Sequence, residues 1–255
     1  MTRFFLRIVD YTIQITIEGG DCPLKRVLTD KYKAYLTDEC LHPDLLIEAR
    51  KQYIFRATRI KNHTYISLYH KLPPNKIITS VNMGRLQSHF FLKTVIFNFL
   101  YGKKLVFLHS SAFLVKGKAQ IFIGDNGAGK STIVKMLKKD FVPLCDDMAI
   151  IKIHKGRFYL YQVPYPEKNL YEKTNKPYPV AGLFLLKKAV SFSVQKIYMT
   201  EADRYFDILN RQISFDNNKK EIIKLIAKLN KRFFRLSFSK KSTESIKSYF
   251  SKEKI

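Results

Sequence analysis

Eight residues, Gly124-Asp125-Asn126-Gly127-Ala128-Gly129-Lys130-Ser131, constrain this chain more than any other stretch. They satisfy the pattern GxxxxGK[ST] at every fixed position. Glycine at three of these places lets the backbone curl until successive N–H groups point at phosphate oxygens. Lys130 is set to reach β- and γ-phosphates and the Ser131 hydroxyl to ligate Mg²⁺. A helix opening at this point adds its positive dipole end to the anion site. The pattern carries weight only between a strand and a helix. Here Ala119-Gln120-Ile121-Phe122-Ile123 reads as a buried strand before it and residues 130–139 as an amphipathic helix after it. The chain is expected to bind a nucleoside triphosphate with Mg²⁺, with Gly124 through Thr132 forming the cradle. No LSGGQ-like signature follows the loop. A GTPase reading lacks an NKxD base-reading motif and a DxxG switch.

Composition sets the frame around this loop. The chain has 255 residues, 46% hydrophobic and 26% charged, the balance of a globular protein with a proper core. Lys and Arg number 46 against 21 Asp and Glu, a net charge of +25 that favours anionic partners. Most of that charge is lysine in a chain rich in Ile, Asn, Phe and Tyr, a pattern that AT-rich coding alone produces. Nucleic acid is therefore not the expected partner, although the charge keeps it open. Cys22, Cys40 and Cys145 are odd in number and show no metal-ligand spacing, so reduced thiols are expected. The first twenty residues lack the layout of a signal peptide, and the apolar stretch at 90–100 is interrupted by Lys93 and too short to span a bilayer. The expectation is a cytoplasmic protein with no membrane partner.

The periodicities divide the chain into three parts. Residues 1–80 alternate like short strands, for example at 11–18, 52–56 and 65–69, and predict a small β-rich N-terminal domain. Residues 81–104 switch to helical spacing, with Leu86, Phe90, Val95, Phe99 and Leu100 on one face, and predict a connecting helix. Residues 105–255 hold the phosphate loop. Extended segments are predicted at 105–109, 112–115 and 141–145, a hairpin at 149–161, and strands at 182–186 and 195–199. A helix is predicted to open at Thr200-Glu201-Ala202-Asp203. The tail, 217–255, carries twelve Lys or Arg against three acids and reads as helical, with Ile222, Ile223, Leu225, Ile226 and Leu229 on its apolar face.

Two further features bear on chemistry. Asp146 and Asp147 end the segment at 141–145, sixteen and seventeen residues after Lys130. An acid at a strand end close behind a phosphate loop is where a carboxylate holds Mg²⁺. Two adjacent acids can divide the labour, one on the metal shell and the other accepting a proton from an attacking hydroxyl. His109 ends a segment read as one strand of the hairpin feeding the loop, a place from which it can tune the acid pair. Arg204 and Arg211 are basic residues able to stabilise a transferring phosphate if the fold brings them near.

Taken together, His109, the Lys116-Gly117-Lys118 turn, the phosphate loop and the Leu144-Cys145-Asp146-Asp147 strand end resemble the catalytic core of the HPr kinase/phosphorylase family and its kinase-only relatives. The resemblance covers roughly residues 105–165. It implies an α/β fold with a mixed β-sheet around the phosphate loop, like that of the HPr kinases and phosphoenolpyruvate carboxykinases, preceded by the small β-rich domain. It implies ATP and Mg²⁺ as ligands, Lys130, Ser131 and Asp146 around phosphates and metal, Asp147 as general base and His109 as its partner. A peptide or small protein presenting an acceptor Ser is the implied substrate, and a homo-oligomer is compatible with the family. The Glu-x-Arg-Gly loop tied to phosphorolysis is missing; Glu167-Lys168 stands nearest, without Arg-Gly. The chain is in this respect more similar to the enzymes that phosphorylate precursor peptides. A small-molecule kinase and a non-catalytic nucleotide-binding regulator with a basic tail are the alternatives.

Overall fold

The computed structural model describes residues 1–60, 63–101, 103–165, 172–198 and 232–252, with backbone only for 58–60 and 63–65. The helix start expected at Thr200-Glu201-Ala202-Asp203, Arg204, Arg211, Glu167-Lys168 and the whole apolar face expected in the tail lie outside the described residues. The chain divides into two units, Met1–Lys103 and Lys104–Ile255. No described helix is long and apolar enough to cross a membrane.

The first unit contains β1 (Thr2–Ile8), β2 (Tyr11–Ile17), α1 (Pro23–Lys31), β3 (Leu36–Thr37), β4 (Leu45–Arg50), β5 (Arg56–Ile60), β6 (His63–Ser67), β7 (Tyr69–Leu72), β8 (Lys76–Ser80) and α2 (Arg85–Tyr101). Six strands form a mixed sheet in the order β3-β1-β2-β4-β8-β7, and β5 and β6 form a separate two-stranded sheet. Alternation places Ile13, Ile15 and Ile17 in the core while Gln14 and Thr16 are half-buried. The segment expected as a strand at 52–56 is extended only from Arg56 onward.

Helix α2 belongs to this first unit, where it packs against α1. Its buried face is Phe91, Leu92, Val95, Ile96 and Leu100, whereas Leu86 and Phe90, expected inside, are exposed. A segment apolar on nearly every side offers several stripes of helical period, and tertiary packing selects among them.

The second unit contains β9 (Val106–Leu108), β10 (Ser111–Val115), β11 (Lys118–Ile123), α3 (Lys130–Leu137), β12 (Val142–Cys145), β13 (Ala149–His154), β14 (Arg157–Gln162), β15 (Tyr178–Lys188), β16 (Ser193–Lys196), β17 (Phe233–Phe238) and α4 (Thr243–Lys252). The path β12-β10-β11-β15-β14-β13-β9 bears β17 and β16 as a branch from β15. Strand β15 is long enough to pair with β14 at Tyr178 and Pro179 and with β17 from Leu183 onward. The hairpins β10–β11 and β13–β14 turn through Lys116-Gly117 and Lys155-Gly156 with both central φ angles positive. That backbone matches the right-handed strand twist and favours glycine second.

Strand alternation sorts the side chains into two cores. Ala112, Ala119, Ile121, Ile123, Leu144, Ile151, Leu160 and Leu183 meet on one side. Phe113, Phe122, Phe184, Leu236 and Phe238 face the other, where they are covered by Ile133, Val134 and Leu137 of α3 and Ile246 and Phe250 of α4. Each large side chain withdrawn from water in this way contributes about 1.5–3 kcal/mol.

Two expectations for this unit are corrected. Residues 233–238 of the tail are a strand rather than a helix, because Phe-Phe-Arg-Leu-Ser-Phe alternates and docks parallel to β15. The segment ending at His109 does not form a hairpin with residues 112–115 ahead of the loop strand. Strand β9 pairs with β13, and it is β10 that pairs with β11.

Candidate functional site

The corrected pairing of β9 builds the site. Leu108 lies opposite Ala149 in the β9–β13 ladder, and Ala112 lies opposite Cys145 in the β10–β12 ladder. Between them the Ser110 N–H donates to the Asp147 carbonyl at 3.2 Å. The two chain segments therefore run side by side in one register from β9 into β10 and from β12 into β13. With the other pairings, they close the unit's strands into a circuit. In this register Asp147 lies opposite Ser110, and the side chain of the adjacent His109 meets it, with Nε2 3.3 Å from Oδ1. Both side chains are partly open to solvent, at 34% and 46% exposure.

The same edge collects the other elements. Strands β11, β15 and β17 are mutually parallel, and β12 runs parallel to them through the antiparallel β10. Their carboxyl ends emerge together at one edge of the sheet. Gly124 follows β11 and Asp146 follows β12, so across the sheet they are separated by two strand spacings, at least about 10 Å. Asp146 is 3% exposed. Among the described residues no three His, Cys, Asp or Glu side chains converge as a protein-only metal cage. Mg²⁺ in phosphoryl-transfer sites needs only one or two carboxylates, because phosphates and water complete its shell. A buried carboxylate on this edge and the Ser131 hydroxyl at the start of α3 fit that donor set.

The loop is shaped by its glycines at two contacts. Gly124 has φ +154°, and a Cβ there would lie 2.7 Å from the Ala128 Cβ. Gly129 has φ +109° and stands against the Phe238 ring, whose Cζ would be 2.7 Å from an added Cβ. Gly129 caps α3, with the Ile133 N–H donating to its carbonyl at 2.9 Å. Lys130 is 8% exposed. Its Nζ donates to the Gly124 carbonyl at 2.6 Å and to that of Asp125 at 3.4 Å, which folds the ammonium back over the loop. Asp125, Asn126, Gly127 and Ala128 make up the intervening turn, closed by the Ala128 N–H donating to Asp125 at 3.0 Å. Ser131 and Thr132 follow in the first turn of α3.

Two contributors escaped the sequence reading. Gln162, 1% exposed, donates from Nε2 to the Leu144 carbonyl at 2.8 Å and to that of Glu172 at 3.2 Å. Its Oε1 accepts from the Thr174 N–H at 2.7 Å. It thereby pins the end of β12 two residues before Asp146. A cavity of about 700 Å³ also opens beside the loop, bounded by Gly127, Gly129 and Thr132 and by residues 188–190 and 238–241. No single segment carries a motif for it, since β15 and β17 become neighbours only through their parallel pairing.

The structure thus brings the strand–loop–helix unit, the acid pair and His109 to one edge of the sheet. No family model and no curated protein matches the chain. Among solved structures, the Hpr(Ser) kinase/phosphatase from Coxiella burnetii is similar at 10% sequence identity, over 56% of this chain and 91% of that one, with a TM-score of 0.33.

Proposed function

We propose that this chain is an ATP- and Mg²⁺-dependent kinase that transfers the γ-phosphoryl group to a hydroxyl, the Ser of a peptide or small protein. The observation that carries the reading is the His109–Asp147 contact, 3.3 Å, on the edge from which the GxxxxGK[ST] loop emerges. In this reading Lys130 and the loop amides hold the β- and γ-phosphates, while Ser131 and Asp146 take the metal. Mg²⁺, when bound, neutralises charge on the phosphate oxygens. The acceptor oxygen forms a bond to the γ-phosphorus as the bond to the bridging oxygen of ADP breaks, and Asp147 accepts the hydroxyl proton. His109 acts as a positioning residue, holding the Asp147 carboxylate toward the acceptor. Positioning and charge neutralisation supply most of such catalysis, because the transition state is loose.

The test is to incubate the protein with Mg-ATP and HPr, Ser-ending peptides or free serine, and to read the acceptor by intact mass. A gain of one phosphoryl group on a peptide or protein acceptor, lost in Lys130→Ala and reduced at least a hundredfold in Asp147→Asn, is expected; general-base catalysis contributes roughly 10²–10⁴-fold. Transfer to free serine alone makes the protein a small-molecule kinase. ATP binding without transfer to any member of the panel overturns the kinase reading in favour of a nucleotide-binding regulator.

A further inference from the structure

Along the sheet edge the order of strand ends is β12, β10, β11, β15, β17. The phosphate loop stands at β11. Asp146 and Asp147 lie two strands away on one side, and the cavity bounded by residues 188–190 and 238–241 lies on the other. A triphosphate held by the loop has two ends: the γ end goes with Lys130 and the metal-ligating hydroxyl, and the α end continues into ribose and base. None of His109, Lys130, Asp146 or Asp147 borders the cavity, whereas Gly127, Gly129 and Thr132 do. The cavity is therefore where the α end leads.

Its chemistry agrees with that direction. Ala189, Val190 and Phe238 give it apolar walls, and Lys188, Lys240 and Lys241 bring cations without an opposing acid among the lining residues. Its size, about 700 Å³, is that of a small-molecule pocket. Val190 is 98% exposed, apolar surface placed at the mouth with nothing upon it among the described residues. Phe238 also touches Gly129, so the same ring that walls the cavity supports the loop.

We propose that this cavity, walled by Ala189, Val190 and Phe238 and edged by Lys188, Lys240 and Lys241, binds the nucleoside half of the triphosphate whose phosphates the loop holds. The proposal rests on the nucleotide-binding reading above and adds the site for the base. The apolar walls hold the base and the lysines neutralise the phosphate nearest the ribose.

The experiment compares Mg-ATP with Mg-tripolyphosphate, which has the phosphates and no nucleoside, by titration calorimetry. Stacking of one base against protein is worth enough to make ATP bind about tenfold or more tightly than tripolyphosphate. Ala189→Trp fills the cavity and is expected to weaken ATP at least tenfold while changing tripolyphosphate less than twofold. Val190→Ser, at a position too exposed to affect folding, is expected to weaken ATP about threefold with the same indifference of tripolyphosphate. Lys130→Ala weakens both ligands. If both cavity variants bind ATP as the parent does, or lose ATP and tripolyphosphate equally, the base lies elsewhere and the phosphate loop reading survives. If neither ligand binds in a Lys130-dependent way, the nucleotide reading itself falls and takes this inference with it.

Discussion

Gly129→Ala is the perturbation whose size follows most directly from the structure. Two costs add. A residue with a Cβ at φ +109° is held in a sparsely populated backbone region, at about 1–3 kcal/mol. The new methyl also stands 2.7 Å from the Phe238 Cζ, and Phe238 is 3% exposed within the core beneath α3, so the ring can give way only toward the cavity it borders. Overpacking of that kind costs about 1–3 kcal/mol. The sum is about 4 kcal/mol, or a fall in Tm of about 8–16 °C for a unit of this size. The chain has no tryptophan, so urea unfolding is followed by tyrosine fluorescence and far-ultraviolet circular dichroism. A double-mutant cycle with Phe238→Leu separates the costs: the smaller side chain relieves the contact but not the backbone, recovering about 2 kcal/mol as coupling. Gly129→Ala within 1 kcal/mol of the parent, or strict additivity with Phe238→Leu, refutes the argument.

Two further outcomes follow from other parts of the molecule. Burial, reinforced by Lys93 and Lys31, holds the His89 pKa below its ordinary value, and its Nδ1 makes no hydrogen bond among the described residues. The unfolded chain then binds more protons than the folded one below about pH 6.5, so stability is complete above that value and falls with acidification; the urea midpoint is expected to drop between pH 7.5 and 5.5, and less so in His89→Phe. Gln162→Leu removes the partner of the Thr174 N–H and one donor to the Leu144 carbonyl. Buried groups left unpaired cost about 1–3 kcal/mol each, so urea unfolding is expected to show a loss of about 2–4 kcal/mol, with phosphoryl transfer falling more than ATP affinity because β12 carries Asp146.

How much of this was legible in the residues depends on range. The phosphate loop stood out because glycine, lysine and serine at fixed spacing between a strand and a helix answer one local demand. The Lys116-Gly117 and Lys155-Gly156 turns were equally visible, since the positive φ values they need are a matter of adjacent residues. The partner of β9 was not. Sequence order suggests a hairpin with β10, and only the ladder to Ala149, Ile150 and Ile151 shows otherwise. Strand β17 was hidden because Phe233, Phe234, Leu236 and Phe238 sit in a lysine-rich stretch where helical and alternating patterns overlap. The cavity beside the loop and the Gln162 clamp depend on segments joined only in space.

The ladder shared by β9–β10 and β12–β13 has a mechanical consequence. Groups on surface loops open at little cost, whereas those on core ladders open only with the unit that contains them. The Ser110–Asp147 backbone bond bridges the two ladders and ties the Asp147 main chain to the sheet, while its carboxylate meets His109. On the kinase reading proposed above, the acid pair is then the fixed jaw of the site. Whatever adjustment brings a hydroxyl and a phosphoryl group into line falls to the acceptor and to the glycine-rich side, and an acceptor that cannot reach the fixed jaw is excluded by geometry alone.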